Sequence, residues 1–296
     1  MPLWWGVNVL ADNLENFWYL KTITQNPNLL NARINFAFDE LELKKIKEEK
    51  QRKNQLGSLN IIAESAIVAE INSNYETEIL FEKNPKKVRP IASLTKLMTA
   101  LVVFDLDETY DLLEEVTITP EAVGQEGVSK FENLKIGDRI SIGSLIYKML
   151  IESSNDAAYA ITQPIGEPAF AALMNIYANQ IGLEKTYFFN STGLEFNGNQ
   201  NTSTALDLVK ISKYILQKHP EIFEITADRK FTTQNTNKLL AEYPEIIGGK
   251  TGWTPSASGC LLVVTKSPKE KKYYVSVILG AQDRFAQMRK ILNTLK

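Results

Sequence analysis

The sequence predicts an α+β fold, an antiparallel sheet assembled from both ends of the chain with flanking helices and an all-helical lobe inserted between its strands. Three observations carry this expectation. Short segments of period-two alternation stand at 65–83, helical periodicity dominates from about 91 to 219, and strand-like segments return at 245–281 before a closing helix. A cleft is expected where the lobes meet.

Taken in order, residues 1–57 read as an N-terminal extension, partly helical, and 58–296 as the main domain, with its helical lobe over about 105–225. The extension opens on an aromatic cluster (Trp4, Trp5, Phe17, Trp18, Tyr19), then turns charged from Lys44 to Lys53, a solvated helix face or linker that Gly57 ends. The cluster could lie on a membrane surface. With only Lys21 nearby and two acids inside it, packing against the main domain is the expected role. "SAIVAEI" and "TEILFEK" flank the turn residues "NSNYE" and form a hairpin. In "GDRISIGSLIYKML", Ser141 is placed to cap a helix; "EPAFAALMNIYANQIG" has Pro168 in its first turn and Gly182 at its end. "NTSTALDLVKISKYILQKHP" repeats that grammar with Ser203 as the cap. "EIIGGKTGW", "GCLLVVTKS" and "KKYYVSVILGA" are strands, the last two joined through "PKEK", and "DRFAQMRKILNTLK" is the final helix.

Composition excludes several classes. A formal charge of -2 provides no basic field for nucleic acid, so an anionic ligand must be caught by a local site. Cys260 is the only cysteine, which rules out an internal disulfide and a cysteine-rich zinc site; it reads as an inert buried thiol. His219 is the only histidine, so a multi-histidine metal site is impossible and no metal is expected. Its position before a proline suits a helix C-terminus, and a serine enzyme built on this chain would use another base. No run approaches the roughly 18 apolar residues of a membrane span. Asn8, Asp12, Asn13 and Glu15 interrupt the start, so no export signal is visible.

The chemistry-bearing residues fall in three segments. In "RPIASLTKLMTALVVF", Ser93 and Lys96 are three apart at the head of a buried helix, on one face, where free N–H groups and the helix dipole favour an oxyanion and a neutral amine. Alone, the pair also fits a polar turn facing solvent. "MLIESSNDAAYAI" puts Ser153 and Asn155 past a helix, with the next beginning at Asp156 or Ala157, and Asp156 reads as a helix-start residue. "IIGGKTGWTPSASGCLLVV" sets Lys250, Thr251 and Gly252 among glycines that let a ligand approach the strand closely. Ser-x-x-Lys, Ser-x-Asn and Lys-Thr-Gly in this order form the three-part set of penicillin-recognising serine enzymes.

Over about residues 58–296 the chain therefore resembles the D-alanyl-D-alanine carboxypeptidase family of low-molecular-mass penicillin-binding proteins, whose fold is β-lactamase/transpeptidase-like. "PIASLTKLMTAL", "ESSNDAA", "NSTGLEFNGNQNTSTALDL", "KTGWT" and "VILGAQDRFAQMRKIL" look like that family's blocks. A class A β-lactamase would carry a Glu-x-x-Leu-Asn loop where "YFFNSTGLEF" stands here.

The resemblance implies a serine carboxypeptidase that removes the terminal D-Ala from peptidoglycan stem peptides through an acyl-serine, with β-lactams as covalent inhibitors and no cofactor. Ser93 would be nucleophile, Lys96 its base and Lys250 a retained cation. Ser153 would serve the departing amine and Asn155 the substrate amide. The N–H groups of Ser93 and Trp253 would form the oxyanion hole, with the Trp253 ring as a wall of the cleft. Thr251 and Lys250 would take the substrate carboxylate, joined by Arg284 unless that arginine only caps the last helix. A D,D-endopeptidase cutting cross-links, and a non-catalytic wall-binding or β-lactam-sensing module, stand as alternatives. The substrate class implies an extracytoplasmic location and leaves membrane association open.

Overall fold

The computed structural model describes residues 27–106, 108–125, 134–231, 234–267 and 271–295. The aromatic opening of the chain lies outside them. Two compact units are present, Met1–Gln55 and Leu56–Lys296. Helix α1 (Pro27–Gly57) runs through the charged stretch, and Phe36, Phe38, Leu41, Leu43 and Ile46 on it are exposed.

In the second unit, β1 (Ser65–Ile71) and β2 (Thr77–Lys83) form the expected hairpin. Asn72 shapes its turn, the side-chain oxygen accepting from the N–H groups of Asn74 and Glu76 at 2.9 and 3.0 Å. β3 (Ile246–Thr254), β4 (Ser258–Lys266) and β5 (Tyr273–Ala281) complete one five-stranded sheet in the order β2-β1-β5-β4-β3, every pair antiparallel. The two ends of the chain meet at its centre, where Ser65 pairs with Leu279 and Ile71 with Tyr273. Between β4 and β5, residues 268–270 lie outside the described set; the Ser267 N–H donates to the Lys272 carbonyl at 2.9 Å.

Period-two alternation divides the sheet's side chains between two cores. Ile67, Ala69, Ile71, Leu262, Val264, Val275 and Val277 pack with the helical block, whereas Ala66, Val68, Leu261, Val263 and Ile278 pack with Met288, Ile291 and Leu292 of the C-terminal helix. Because both faces are covered, the inner strands read as nearly unbroken apolar runs. β2 and β3 are the two edge strands, each with one side of its backbone unpaired by the sheet.

The helical block begins with α2 (Thr95–Asp105), buried from Thr95 through Val103. After a single short helical turn, Pro120–Val123, comes α3 (Ile142–Tyr147), capped by Ser141, whose hydroxyl accepts from the Ser144 N–H at 3.3 Å. It runs on as a π-helical turn over Lys148–Glu152. α4 (Asn155–Thr162) starts earlier than the sequence suggests, because the Ser154 hydroxyl accepts from the Ala157 N–H at 3.1 Å and fixes the first turn there. α5 (Glu167–Ile181) has Pro168 at its start and left-handed Gly182 at its end. α6 (Ala205–Lys218) corrects one expectation: Thr204, not Ser203, is its cap, accepting from the Asp207 N–H at 3.0 Å. Ser203 is instead paired with Arg89 in a two-residue ladder, with its hydroxyl 2.7 Å from that of Thr186. His219 closes α6 and lies between carboxylates, its Nε2 on Asp105 and its Nδ1 3.2 Å from Glu221. α7 (Glu221–Thr226) and α8 (Arg284–Leu295) complete the set. Among the described residues no helix is long and apolar enough to cross a membrane.

Candidate active site

Ser93 occupies a 3-10 turn, Ala92–Leu94, that leads into α2, and only Lys96 of the pair lies in the α-helix proper. Ala92 is left-handed, with φ of 47°, a strained setting for a residue with a Cβ. Its neighbours leave no slack. A Cβ on Gly193 would fall 2.1 Å from the Ala92 carbonyl oxygen, and one on Gly252 would fall 2.8 Å from the Ile91 oxygen and 3.1 Å from the Ser93 nitrogen. Two glycines thus let a loop and the edge strand close on the nucleophile turn from opposite sequence positions.

Lys96 is fully buried. Its Nζ is 3.2 Å from Ser93 Oγ, 2.6 Å from Asn155 Oδ1 and 2.6 Å from the Thr192 carbonyl oxygen. All three are neutral oxygens. Burial without a counter-ion disfavours the ammonium and brings the amine down from its usual 10.5 to about 7. Asn155 opens α4, and its side chain links the second motif to the first.

Ser153 ends the π-helical turn in the left-handed region, φ 64° and ψ 30°, and so turns its hydroxyl out of the helix. There it accepts from Lys250 Nζ at 2.8 Å, and the same amine donates to the Thr251 carbonyl at 3.1 Å. Lys250, also buried and without a carboxylate partner among these bonds, is lowered by burial, then by Lys96 and Arg284. The expectation that Lys250 is a standing cation thus meets an environment that pulls both amines the same way.

Lys250, Thr251 and Gly252 lie in the middle of β3, opposite Leu262, Leu261 and Cys260 of β4. The Gly249 N–H points off the sheet, donating to Thr226 Oγ1 at 3.0 Å, and alternation along the strand turns the Thr251 and Trp253 N–H groups to that same outer edge. Trp253 is 63% exposed. Arg284 is the first residue of α8, and its Nη1 donates to the Gly252 carbonyl at 2.9 Å, so it reaches the edge strand as well as starting a helix. Burial lowers its guanidinium from the ordinary value.

The three motifs therefore meet at one place. Asp156 sits in the first turn of α4, where burial raises its carboxyl to about 6. Cys260 is buried on the β4 strand, its thiol pushed up by burial. His219 contacts Asp105 and Glu221 and none of the motif residues. Among the described residues there is no group of three or more His, Cys, Asp or Glu positioned for a metal.

Three contributors have no role assigned from the sequence, although Thr192 and Asn201 lie inside the block "NSTGLEFNGNQNTSTALDL". Thr192 acts through its backbone carbonyl, which any residue has. Asn201 is 1% exposed and holds that loop: its side-chain oxygen accepts from the Phe189 and Asn190 N–H groups at 2.6 and 3.1 Å, and its amide donates to the Asn190 carbonyl and to Thr95 Oγ1 at 2.8 and 3.0 Å. Thr236 Oγ1 lies 2.6 Å from Thr251 Oγ1.

Comparison with known proteins gives a consistent result. The sequence profile of the family described as D-alanyl-D-alanine carboxypeptidase matches residues 49–283. The carboxypeptidase DacF of Bacillus subtilis is 32% identical over 78% of this chain and 61% of its own length. The D-alanyl-D-alanine endopeptidase of Escherichia coli is 32% identical over 69% of this chain and 67% of its own. A penicillin-binding protein of Listeria monocytogenes, solved in the cefotaxime-bound form, superposes with a TM-score of 0.68 at 28% identity, over 80% of this chain and 98% of that one. The chain thus spans about three fifths of the length of the first of these curated relatives.

Proposed function

Because the chain belongs to the D-alanyl-D-alanine carboxypeptidase family, we propose that it is a serine-type peptidase that removes the terminal D-Ala from peptidoglycan stem peptides through an acyl-serine intermediate. One observation carries this reading: a fully buried amine, Lys96, bonded only to neutral oxygens, lies 3.2 Å from the hydroxyl of Ser93. An amine so placed is a base at neutral pH, which a serine nucleophile requires.

Ser93 Oγ attacks the carbonyl between the two D-alanines while Lys96 takes its proton. The tetrahedral oxyanion is held by the N–H groups of Ser93 and Trp253, and the closeness of β3 to the Ser93 turn at Gly252 supports that pairing. The proton on Lys96 is the one the departing amine needs. Ser153, bonded to Lys250 and two residues from the Asn155 that holds Lys96, is the hydroxyl able to pass it on. The C–N bond breaks, D-alanine leaves, and water hydrolyses the ester. Asn155 also orients the substrate amide.

The substrate carboxylate is received by Thr251, Lys250 and Arg284. It brings the counter-charge that Lys250 lacks, so Lys250 becomes the cation of the complex while Lys96 works neutral. β-Lactams, which a listerial relative binds, acylate the same serine. The substrate class puts the protein's work outside the cytoplasmic membrane.

The test is mass spectrometry after treatment with penicillin. One adduct on the peptide containing Ser93, lost in Ser93→Ala, together with release of free D-alanine from a stem pentapeptide, is the expected result. Folded protein that takes no adduct would overturn it in favour of a non-catalytic wall-binding module. A second reading has an observation behind it, since relatives 32% and 34% identical are named endopeptidases. Loss of cross-linked dimers without release of D-alanine would select it.

A further inference from the structure

Resting on the reading of Lys96 as the base, we propose that Asn190 is a positioning residue: by fixing the Thr192–Gly193 peptide unit it aims the Thr192 carbonyl at the Lys96 amine and so turns the lone pair of that amine toward Ser93. The observation is one peptide unit bonded at both ends. The Thr192 carbonyl accepts from Lys96 Nζ at 2.6 Å, and the N–H of the same unit, that of Gly193, donates to Asn190 Oδ1 at 2.8 Å. Because a peptide unit is planar and its carbonyl and N–H point opposite ways, holding one fixes the direction of the other. As an ammonium, Lys96 donates to Asn155 Oδ1 and the Thr192 carbonyl at 2.6 Å each and to Ser93 Oγ at 3.2 Å. The neutral amine keeps two hydrogens, and the two short bonds hold them. The proton lost is the one on the long bond, so the lone pair is left facing the Ser93 hydroxyl.

The Asn190 side chain is itself held at both ends. Its Oδ1 also accepts from the Thr192 hydroxyl at 3.2 Å and from Asn201 Nδ2 at 3.3 Å, and its Nδ2 donates to the Leu194 carbonyl at 2.8 Å. The Thr192 hydroxyl accepts in turn from the Leu194 N–H at 3.1 Å, which closes the turn on itself. Outside the turn, Ser191 is anchored on two helices. Its N–H and hydroxyl donate to the Glu167 carboxylate at the head of α5, at 2.7 and 2.9 Å, and its carbonyl accepts from the Thr99 hydroxyl on α2 at 2.7 Å. Those bonds place the turn, and Asn190 sets the one peptide unit in it that faces Lys96.

The experiment follows acylation by a fluorescent penicillin in stopped flow, on the pH plateau, for wild type, Asn190→Ala, Asn190→Leu and Asn190→Asp. Its concentration dependence separates the acylation rate constant from the dissociation constant of the complex that precedes it. Asn190→Ala and the bulkier Asn190→Leu both remove the acceptor of the Gly193 N–H. Their rate constants are expected to fall about tenfold to a hundredfold, as misplacing a base does, while the dissociation constant changes less than about threefold. Asn190→Asp returns an oxygen to the Gly193 N–H and should recover the plateau rate to within about threefold of wild type. The plateau is the fair comparison, because an added carboxylate favours the ammonium and displaces the rising limb to higher pH. Rates are taken per penicillin-titrated site, so unfolded protein does not count as slow enzyme. Unchanged rate constants in Asn190→Ala and Asn190→Leu, a loss confined to the dissociation constant, or an Asn190→Asp variant as slow as Asn190→Ala would each overturn the proposal. A wild type that takes no adduct at Ser93 sinks the parent reading and this one with it. A labelled wild type matched in rate by Asn190→Ala sinks this one alone.

Discussion

The base assigned to Lys96 makes a pH profile the sharpest test of the site. Perturb only the pH, and follow the second-order rate of acylation by a fluorescent penicillin from pH 5 to 9. An ordinary lysine at pH 7 is neutral in roughly one molecule in 3,000. An amine brought down to about 7 by burial is neutral in about half, a gain of three orders of magnitude in competent enzyme. The rate should therefore climb tenfold per pH unit from pH 5, where about one molecule in a hundred is neutral, and level off above pH 7. Lys250 is lowered in the same direction, by burial first and then by Lys96 and Arg284. The same burial fixes a stability trend. Between about 7 and 10.5 the unfolded chain holds a proton on residue 96 that the folded chain does not, so stability rises with pH across that window and the increment is absent below it. In denaturant melts the wild type should gain on Lys96→Met by up to about 1.4 kcal/mol per pH unit in that range. A rate that is flat from pH 5 to 9, or one still rising tenfold per unit at pH 9, would refute the assignment of a buried neutral base.

Two more outcomes follow from the geometry. Gly252→Ala sets a methyl group against the Ile91 carbonyl and the Ser93 nitrogen, so β3 must withdraw from the nucleophile turn; acylation should drop about 100-fold while circular dichroism reports an intact fold. Arg284→Gln should raise KM for the carboxylate peptide about tenfold by removing a cation from the edge strand, as steady-state kinetics would reveal; a lower melting temperature with KM unchanged would confine this arginine to the start of α8.

What could be read from the sequence, and what could not, follows from which groups carry the information. Ser93, Lys96, Ser153, Asn155 and Lys250 were legible because the chemistry demands particular side chains at fixed intervals. The sheet was legible because alternation and turn residues mark strands locally. Thr192 was not, since it serves Lys96 with a carbonyl that no residue type signals. Neither was Thr236, a hydroxyl matched to another hydroxyl fifteen residues on, which no spacing rule marks. At the head of α6, Ser203 and Thr204 are adjacent and both able to cap; the choice falls to Thr204 because Ser203 is taken by the ladder with Arg89. The left-handed Ala92 has no sequence mark, because alanine ordinarily avoids that conformation, and contacts from the Gly193 loop and the Gly252 strand hold it there. The lowering of Lys250 depends on burial and on Lys96 and Arg284, remote in sequence, none of it visible in "GGKTGW".

The pairing of Ser65 with Leu279 has a further consequence during synthesis. The first hairpin leaves the ribosome with its inner edge bare and must wait until the helical block, β3 and β4 have been translated before β5 can cover it. Nascent chains arrested before β3 would hold Ser93 and Lys96 without the lysine strand across from them, and those arrested between β3 and β5 would hold that strand with no link through the sheet to β1. Such chains should attract holding chaperones and ignore β-lactams, acquiring drug sensitivity only when the last strand arrives.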